Sequence, residues 1–133
     1  MRAILAVLAG IIVGSSVNMG LIMIGGVVIP PPEGVDPADI ESIKANMHLY
    51  EARHFVVPFL AHGLGTLVGA AIAALIAPKN KLRYAFGIGF FFLLGGIAMT
   101  FLVPFPKWVM IVDLGCCYIP MAWIGGKMGS GKG

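Results

Sequence analysis

Long apolar stretches separated by short polar links dominate the hydrophobic pattern of this chain. They predict helices at about residues 3–29, 55–77, 84–103 and 108–126. Each stretch meets or approaches the roughly 20 residues with which an α-helix crosses the hydrocarbon core of a bilayer. Because backbone groups in lipid have no water to bond, such segments are expected to be helical. The pattern therefore predicts four membrane-spanning helices.

The first stretch begins with a basic residue, Arg2, as a secretory signal peptide does. Its apolar run far exceeds the roughly 7–15 residues of a signal-peptide core. We therefore expect it to remain as a spanning helix.

The link after the first stretch has its own periodicity. Pro30–Pro32 stop the first helix, and Asp36 followed by Pro37 is typical of an N-cap and a first helical position. Apolar residues then recur at three- and four-residue spacing, at Ile40, Ile43, Met47 and Tyr50. This spacing predicts a short amphipathic helix at about 37–53, lying on the membrane surface or covering the end of the bundle.

The composition supports a membrane protein. Hydrophobic residues make up 59% of the chain and charged residues only 11%, against about 25% charged in soluble domains. A chain of this length cannot bury so much apolar surface in its own interior, so the surplus is expected to face lipid. The basic residues are scattered, which argues against a nucleic-acid partner. The predicted fold class is an all-α, integral membrane four-helix bundle with a short extracytoplasmic amphipathic helix.

The distribution of charge predicts the orientation. The link between the second and third stretches carries Lys79, Lys81 and Arg83 and no acid. The termini are also basic, through Arg2, Lys127 and Lys132, whereas residues 30–54 hold five of the six acids. Because cytoplasmic links are enriched in Lys and Arg, we expect both termini in the cytoplasm and residues 30–54 outside, in a bacterial inner membrane.

Asp113 is the most informative single residue, because it lies within the apolar fourth stretch. A charged side chain at the centre of a bilayer costs about 2.5–3.5 kcal/mol on insertion scales, so it is expected to have a partner. His62 lies at a similar depth in the second stretch, and we predict a His62–Asp113 hydrogen bond or ion pair. Asn18 in the first stretch also needs a partner and is the third member of the predicted intramembrane polar site. Such a group either handles a proton or cation or clamps two helices together.

A second candidate site is weaker. His48, Glu51 and His54 are spaced by three residues near the end of the outer link. Imidazole and carboxylate groups suit zinc or another divalent metal, although side chains at a membrane surface are more often simply solvated. The adjacent Cys116 and Cys117 lack metal-ligand spacing and are expected to pack as small apolar residues. The sequence indicates no other cofactor.

Small residues are frequent inside the predicted spans. Glycine lets helix backbones approach closely, which is a main source of helix association in lipid. The glycines expected to pack in this way are Gly10, Gly14, Gly65, Gly69, Gly95 and Gly96. Some of these faces are expected to meet a second copy of the chain, in a homo-oligomer.

Several segments together resemble a known group of proteins. They are Pro30–Gly34, Met47–Leu49, Phe59–Gly69 and Tyr118–Met121. The chain resembles, over essentially its whole length, small four-span bacterial membrane proteins of unknown function. The resemblance implies a helical bundle that forms an oligomer, and it implies no activity and no site residues.

Three functions remain open from the sequence. The glycine faces and the lack of a catalytic motif favour a structural or binding component that forms a homo-oligomer. His62, Asp113 and Asn18 favour a small transporter or channel for a proton, a cation or a small solute. A metal-dependent membrane enzyme using His48, Glu51 and His54 is the most distant of the three, so a non-enzymatic role is favoured.

Overall fold

The regular elements of the protein are all helical in the residues that the structure, a computed structural model, describes. These are residues 1–131, and Lys132, which contributed to the predicted orientation, lies outside them. The helices are α1 (Arg2–Val28), α2 (Ile40–Ala45), α3 (Ala52–Ile76), α4 (Lys81–Leu102), α5 (Lys107–Cys116) and α6 (Ile119–Ser130), with a 3₁₀ turn at Met47–Leu49.

Within residues 1–131, four helical stretches are long and apolar enough to cross a membrane. They are α1, α3, α4 and the segment Lys107–Ser130, which comprises α5 and α6. Large apolar side chains remain exposed on them, among them Ile12 at 62%, Phe101 at 86% and Ile111 at 73%. This exposure is what a helical bundle shows when lipid, rather than its own core, covers its apolar surface.

The central helix of the bundle is α3, which packs against α1, α4 and α6. The core between them is built of Ala70, Ala73, Ala74, Ala85, Ile88 and Ala122. Because alanine side chains are small, the helix backbones lie close together, and contact between backbones takes the place of a large apolar core.

Glycines form the contact between α1 and α3. A Cβ atom added to Gly10 would lie 2.8 Å from the Gly69 carbonyl oxygen, and one added to Gly14 would lie 2.8 Å from the Gly65 oxygen. These four residues pack where the sequence predicted close helix contact. Gly95 is different, because a Cβ there would meet nothing within 4 Å among the described residues. It faces away from the other helices of this chain, so it does not pack within the bundle.

The fourth span is interrupted, whereas the sequence predicted one helix at 108–126. The first part, α5, ends at Cys116, and α6 begins at Ile119. Pro120 is in the first turn of α6. Since proline has no N–H, it cannot donate to the carbonyl four residues earlier, and the chain breaks before it. The structure therefore shows a full break near Tyr118.

The outer link does not form the single helix predicted at 37–53. Only Ile40–Ala45 is α-helical, and its N-cap is Asp39, whose side chain accepts a hydrogen bond from the Glu41 N–H. The predicted N-cap, Asp36, instead accepts from the Ala38 N–H in a preceding turn, at 2.9 Å. At the other end, residues 52 and 53 already belong to α3. Local side-chain hydrogen bonds have therefore overridden the apolar periodicity.

Candidate functional site

A cluster of three polar side chains joins α3 to the interrupted fourth span. The His62 Nδ1 atom lies 2.7 Å from Asp113 Oδ1. The Tyr118 hydroxyl donates a hydrogen bond of 3.0 Å to the other carboxylate oxygen, Oδ2. The predicted His62–Asp113 contact is thus present, and Tyr118 is a third member of the cluster. We call these residues the His–Asp–Tyr cluster.

The break in the fourth span and a glycine of α4 place Tyr118 in this cluster. Tyr118 lies between α5 and α6, and only 3% of it is exposed. Its ring lies against Gly96, where an added Cβ would be 2.6 Å from the Tyr118 hydroxyl oxygen. Any larger residue at position 96 would occupy the space of the tyrosine ring. Gly96, predicted to pack helices, therefore makes room for the site.

Within the cluster the carboxylate is mostly buried and the imidazole is partly exposed. The Asp113 side chain is 14% exposed and the His62 side chain 31% exposed. Both carboxylate oxygens are bonded within the cluster. The second imidazole nitrogen, Nε2 of His62, has no hydrogen-bond partner within residues 1–131. Among the described residues, Nε2 is therefore the ring nitrogen of His62 that is left to bond a ligand.

This arrangement can hold and move a proton. A distance of 2.7 Å between the nitrogen and the oxygen is that of a short hydrogen bond. The proton between Nδ1 and Oδ1 can reside on either atom, and Tyr118 supplies a fixed donor to the carboxylate in both states. In an apolar span these hydrogen bonds also lower the cost of keeping the carboxylate away from water.

Asn18 is not part of the cluster, although the sequence grouped it with His62 and Asp113. It packs against Gly65, where an added Cβ would lie 3.0 Å from the Asn18 Cβ atom. Its Oδ1 atom is buried and has no hydrogen-bond partner among the described residues. Gly65 is three residues beyond His62 on α3 and faces α1, whereas His62 faces α5. The sequence grouped these residues as polar groups within apolar stretches, but Asn18 packs on a different face of α3 from His62.

The predicted metal ligands have other roles. Glu51 and His54 form a capping box at the start of α3: the Glu51 side chain accepts from the His54 backbone N–H, and His54 Nδ1 accepts from the Glu51 N–H at 2.8 Å. His48 lies exposed in the 3₁₀ turn. No group of three His, Cys, Asp or Glu side chains within residues 1–131 is arranged to hold a metal ion. The spacing by three that suggested a metal site reflects the start of a helix.

The capping box also has an aromatic neighbour. The Tyr50 ring meets the His54 ring edge-on, with centroids 5.5 Å apart. Burial raises the pKa of the Tyr50 hydroxyl, so Tyr50 is protonated at neutral pH. Tyr50 and His54 therefore serve to fix the entry of the chain into α3.

The position of Tyr118 before a proline indicates a break in the helix, which the hydrophobic periodicity of the stretch does not show. Tyr118 stands two residues before Pro120, and a proline ends or kinks a helix at the preceding residues. At such a break the helical periodicity no longer determines the face to which a side chain belongs. Of the two cysteines expected to pack, Cys117 is buried and its thiol donates to the Phe59 carbonyl at 3.5 Å, whereas Cys116 is exposed, so the prediction is wrong for Cys116.

Comparisons with protein-family models, with curated proteins and with solved structures find no match to this chain. The fold and the cluster therefore define only a class: an all-helical bundle whose long apolar helices suit a membrane. The resemblance to small four-span bacterial membrane proteins stays a prediction.

Proposed function

We propose that this chain is a multi-pass protein of a bacterial inner membrane that handles a proton, a small cation or another small solute at the His–Asp–Tyr cluster. The observation that carries the proposal is Asp113, a carboxylate within an apolar span that is bonded by His62 at 2.7 Å and by Tyr118 at 3.0 Å. An ionisable residue within a spanning helix is costly to keep there, and such residues are commonly found at substrate, ion or proton sites.

The position of the cluster supports this proposal. Asp113 lies six residues beyond Lys107, the start of α5, and at 1.5 Å per residue this is about 9 Å along the helix. The break between α5 and α6 follows within four residues. Discontinuous spans are the usual place of substrate and ion sites in transporters, because the break frees polar backbone groups at depth.

We propose an orientation with both termini in the cytoplasm and residues 30–54 outside, on the charge distribution of the links. The test is labelling with a membrane-impermeant maleimide in a Cys116→Ser/Cys117→Ser background. Lys79→Cys is expected to react only in inside-out vesicles and Glu33→Cys only in right-side-out vesicles. The reverse pattern would show that the orientation is wrong.

The test of proton handling uses vesicles loaded with the pH-sensitive dye pyranine. Purified protein is reconstituted, and a potassium diffusion potential is imposed with valinomycin. Wild type is expected to acidify the interior faster than protein-free vesicles, and Asp113→Asn is expected to remove this excess. The control is His48→Gln, which removes an exposed imidazole outside the cluster and is expected to leave the flux unchanged.

Two results would overturn the proposal. Wild-type vesicles could match empty ones in this assay, both alone and with external sodium or potassium gradients. Alternatively, Asp113→Asn could retain the full flux. Correct incorporation of each variant is checked by the amount of folded protein recovered per vesicle.

A second candidate is a structural or binding component that assembles as a homo-oligomer. It is favoured by the fact that both Asp113 oxygens are already bonded, as a polar clamp between helices requires. Hydrogen bonds between helices in lipid contribute about 0.6 kcal/mol on average and up to about 1.7 kcal/mol. For a clamp, Tyr118→Phe is expected to lower stability or to change the oligomer mass, while wild type shows no flux. Analytical ultracentrifugation in detergent measures that mass.

A further inference from the structure

A groove lies between α1 and α4, apart from the His–Asp–Tyr cluster. Its volume is about 590 Å³. Its walls include Val7 and Ile11 of α1 and Ile88 and Phe91 of α4, and its polar end includes Lys79 and Arg83. The groove is therefore apolar along its length and basic at one end.

The groove exists because α1 and α4 both pack on α3 and touch each other only slightly. Gly87 deepens it, since a Cβ added there would meet nothing within 4 Å. Along α4 the lining runs from Tyr84 to Phe91, which at 1.5 Å per residue is about 10 Å. A groove of this length and apolar lining suits part of an extended hydrocarbon chain.

The basic end has no counter-charge from the protein. Neither Lys79 nor Arg83 forms an ion pair within residues 1–131. The link at 78–83 contains no acidic residue, and the acids of the chain other than Asp113 lie in residues 30–54, in the link at the opposite end of the bundle. A complementary ligand therefore carries negative charge at one end and apolar surface behind it.

We propose that this groove binds an anionic phospholipid, with its phosphate between Lys79 and Arg83 and an acyl chain along α4. The proposal rests on the membrane location proposed above, which the maleimide labelling tests separately. Basic pockets between spanning helices on the cytoplasmic side are a known way of holding anionic headgroups. A second cavity of about 340 Å³ shares Val7 and Tyr84 with the groove and offers space for a second acyl chain of the lipid.

The test is lipid titration of the full-length protein in dodecyl maltoside, followed by thermal unfolding. Phosphatidylglycerol is expected to raise the unfolding temperature at concentrations where phosphatidylcholine does not. Lys79→Gln/Arg83→Gln is expected to weaken phosphatidylglycerol binding about tenfold or more, because the variant removes both positive charges that would contact the phosphate. Lys107→Gln/Lys127→Gln removes the same charge elsewhere and is expected to bind as wild type does.

A pair of glycine variants on one helix tests the apolar wall. Gly87→Leu fills the groove, whereas Gly95→Leu adds the same side chain at another open position of α4. Only Gly87→Leu is expected to weaken binding. Equal effects of the two lipids, equal losses in both charge variants, or unchanged binding by Gly87→Leu would each overturn the proposal. Competition by soluble glycerol 3-phosphate at the same concentration would show a phosphate site instead of a lipid site.

Discussion

Substitution of Gly69 by alanine tests how α1 is held to the bundle. The new Cβ would lie 2.6 Å from the Gly10 carbonyl oxygen and 3.2 Å from the Gly14 Cα atom. Comfortable contacts between non-bonded heavy atoms are about 3.5–4.0 Å, so the two helices must separate by close to 1 Å. Both obstructing atoms belong to the backbone, and no side-chain rotation can relieve the clash.

The expected cost follows from this separation. A gap of about 0.5–1 Å forfeits a quarter to a half of each dispersion contact along the interface, and overpacking costs about 1–3 kcal/mol in general. Alanine in place of glycine within a helix returns about 0.5–1 kcal/mol. We therefore expect Gly69→Ala to lower the free energy of unfolding by about 1–2 kcal/mol.

Equilibrium unfolding in mixed dodecyl maltoside and dodecyl sulfate micelles measures this change through tryptophan fluorescence. The matched control is Gly95→Ala, whose Cβ meets nothing within 4 Å and which should raise stability by about 0.5–1 kcal/mol. If Gly69→Ala is as stable as Gly95→Ala, α1 and α3 do not meet at Gly10 and Gly69.

Two smaller perturbations test the start of α3 and the wall behind Tyr118. Glu51→Ala removes the N-cap of α3 and is expected to lower the free energy of unfolding by about 1 kcal/mol in the same assay. The control is Glu33→Ala, at an exposed position of the link, which should stay within about 0.5 kcal/mol of wild type. Gly96→Ala places a Cβ 2.6 Å from the Tyr118 hydroxyl, and it should destabilise less than Gly69→Ala because a side chain can move aside. Under the proposed function it should also change the proton flux, because it displaces the hydroxyl from Asp113. Unchanged flux would contradict the placement of Tyr118.

The long helices could be predicted because hydropathy is a local property. Each apolar stretch can satisfy its own backbone hydrogen bonds as a helix, whichever neighbours it packs against. The His62–Asp113 contact could be predicted because a carboxylate within a long apolar stretch needs a partner. The need for a partner did not place Asn18, which packs against Gly65 and not against His62 or Asp113. On a helix that is apolar all round, the sequence does not reveal which face meets which neighbour.

The outer link was harder for a different reason. Ile40, Ile43 and Met47 have helical spacing, but Asp36, Asp39 and neighbouring polar residues each bond the backbone nearby. Short polar side chains compete with helix formation in this way. Local hydrogen bonding also explains Glu51 and His54, whose spacing by three suggested a metal site but belongs to the capping box of α3. Polar residues spaced by three at the edge of a span are ambiguous until the helix start is located.

The break in the fourth span is what allows one carboxylate to bond both His62 and Tyr118. In an unbroken helix Asp113 and Tyr118, five residues apart, would point about 140° away from each other at 100° per residue. Because the helix is interrupted before Pro120, the Tyr118 ring turns back over Gly96 and its hydroxyl reaches Asp113. The cluster therefore bonds α3, α5 and the start of α6 through a single carboxylate. A solute or proton that displaces His62 or Tyr118 from Asp113 removes one of these hydrogen bonds between helices. Under the proposed function, this links occupancy of the site to the position of α6 relative to α5.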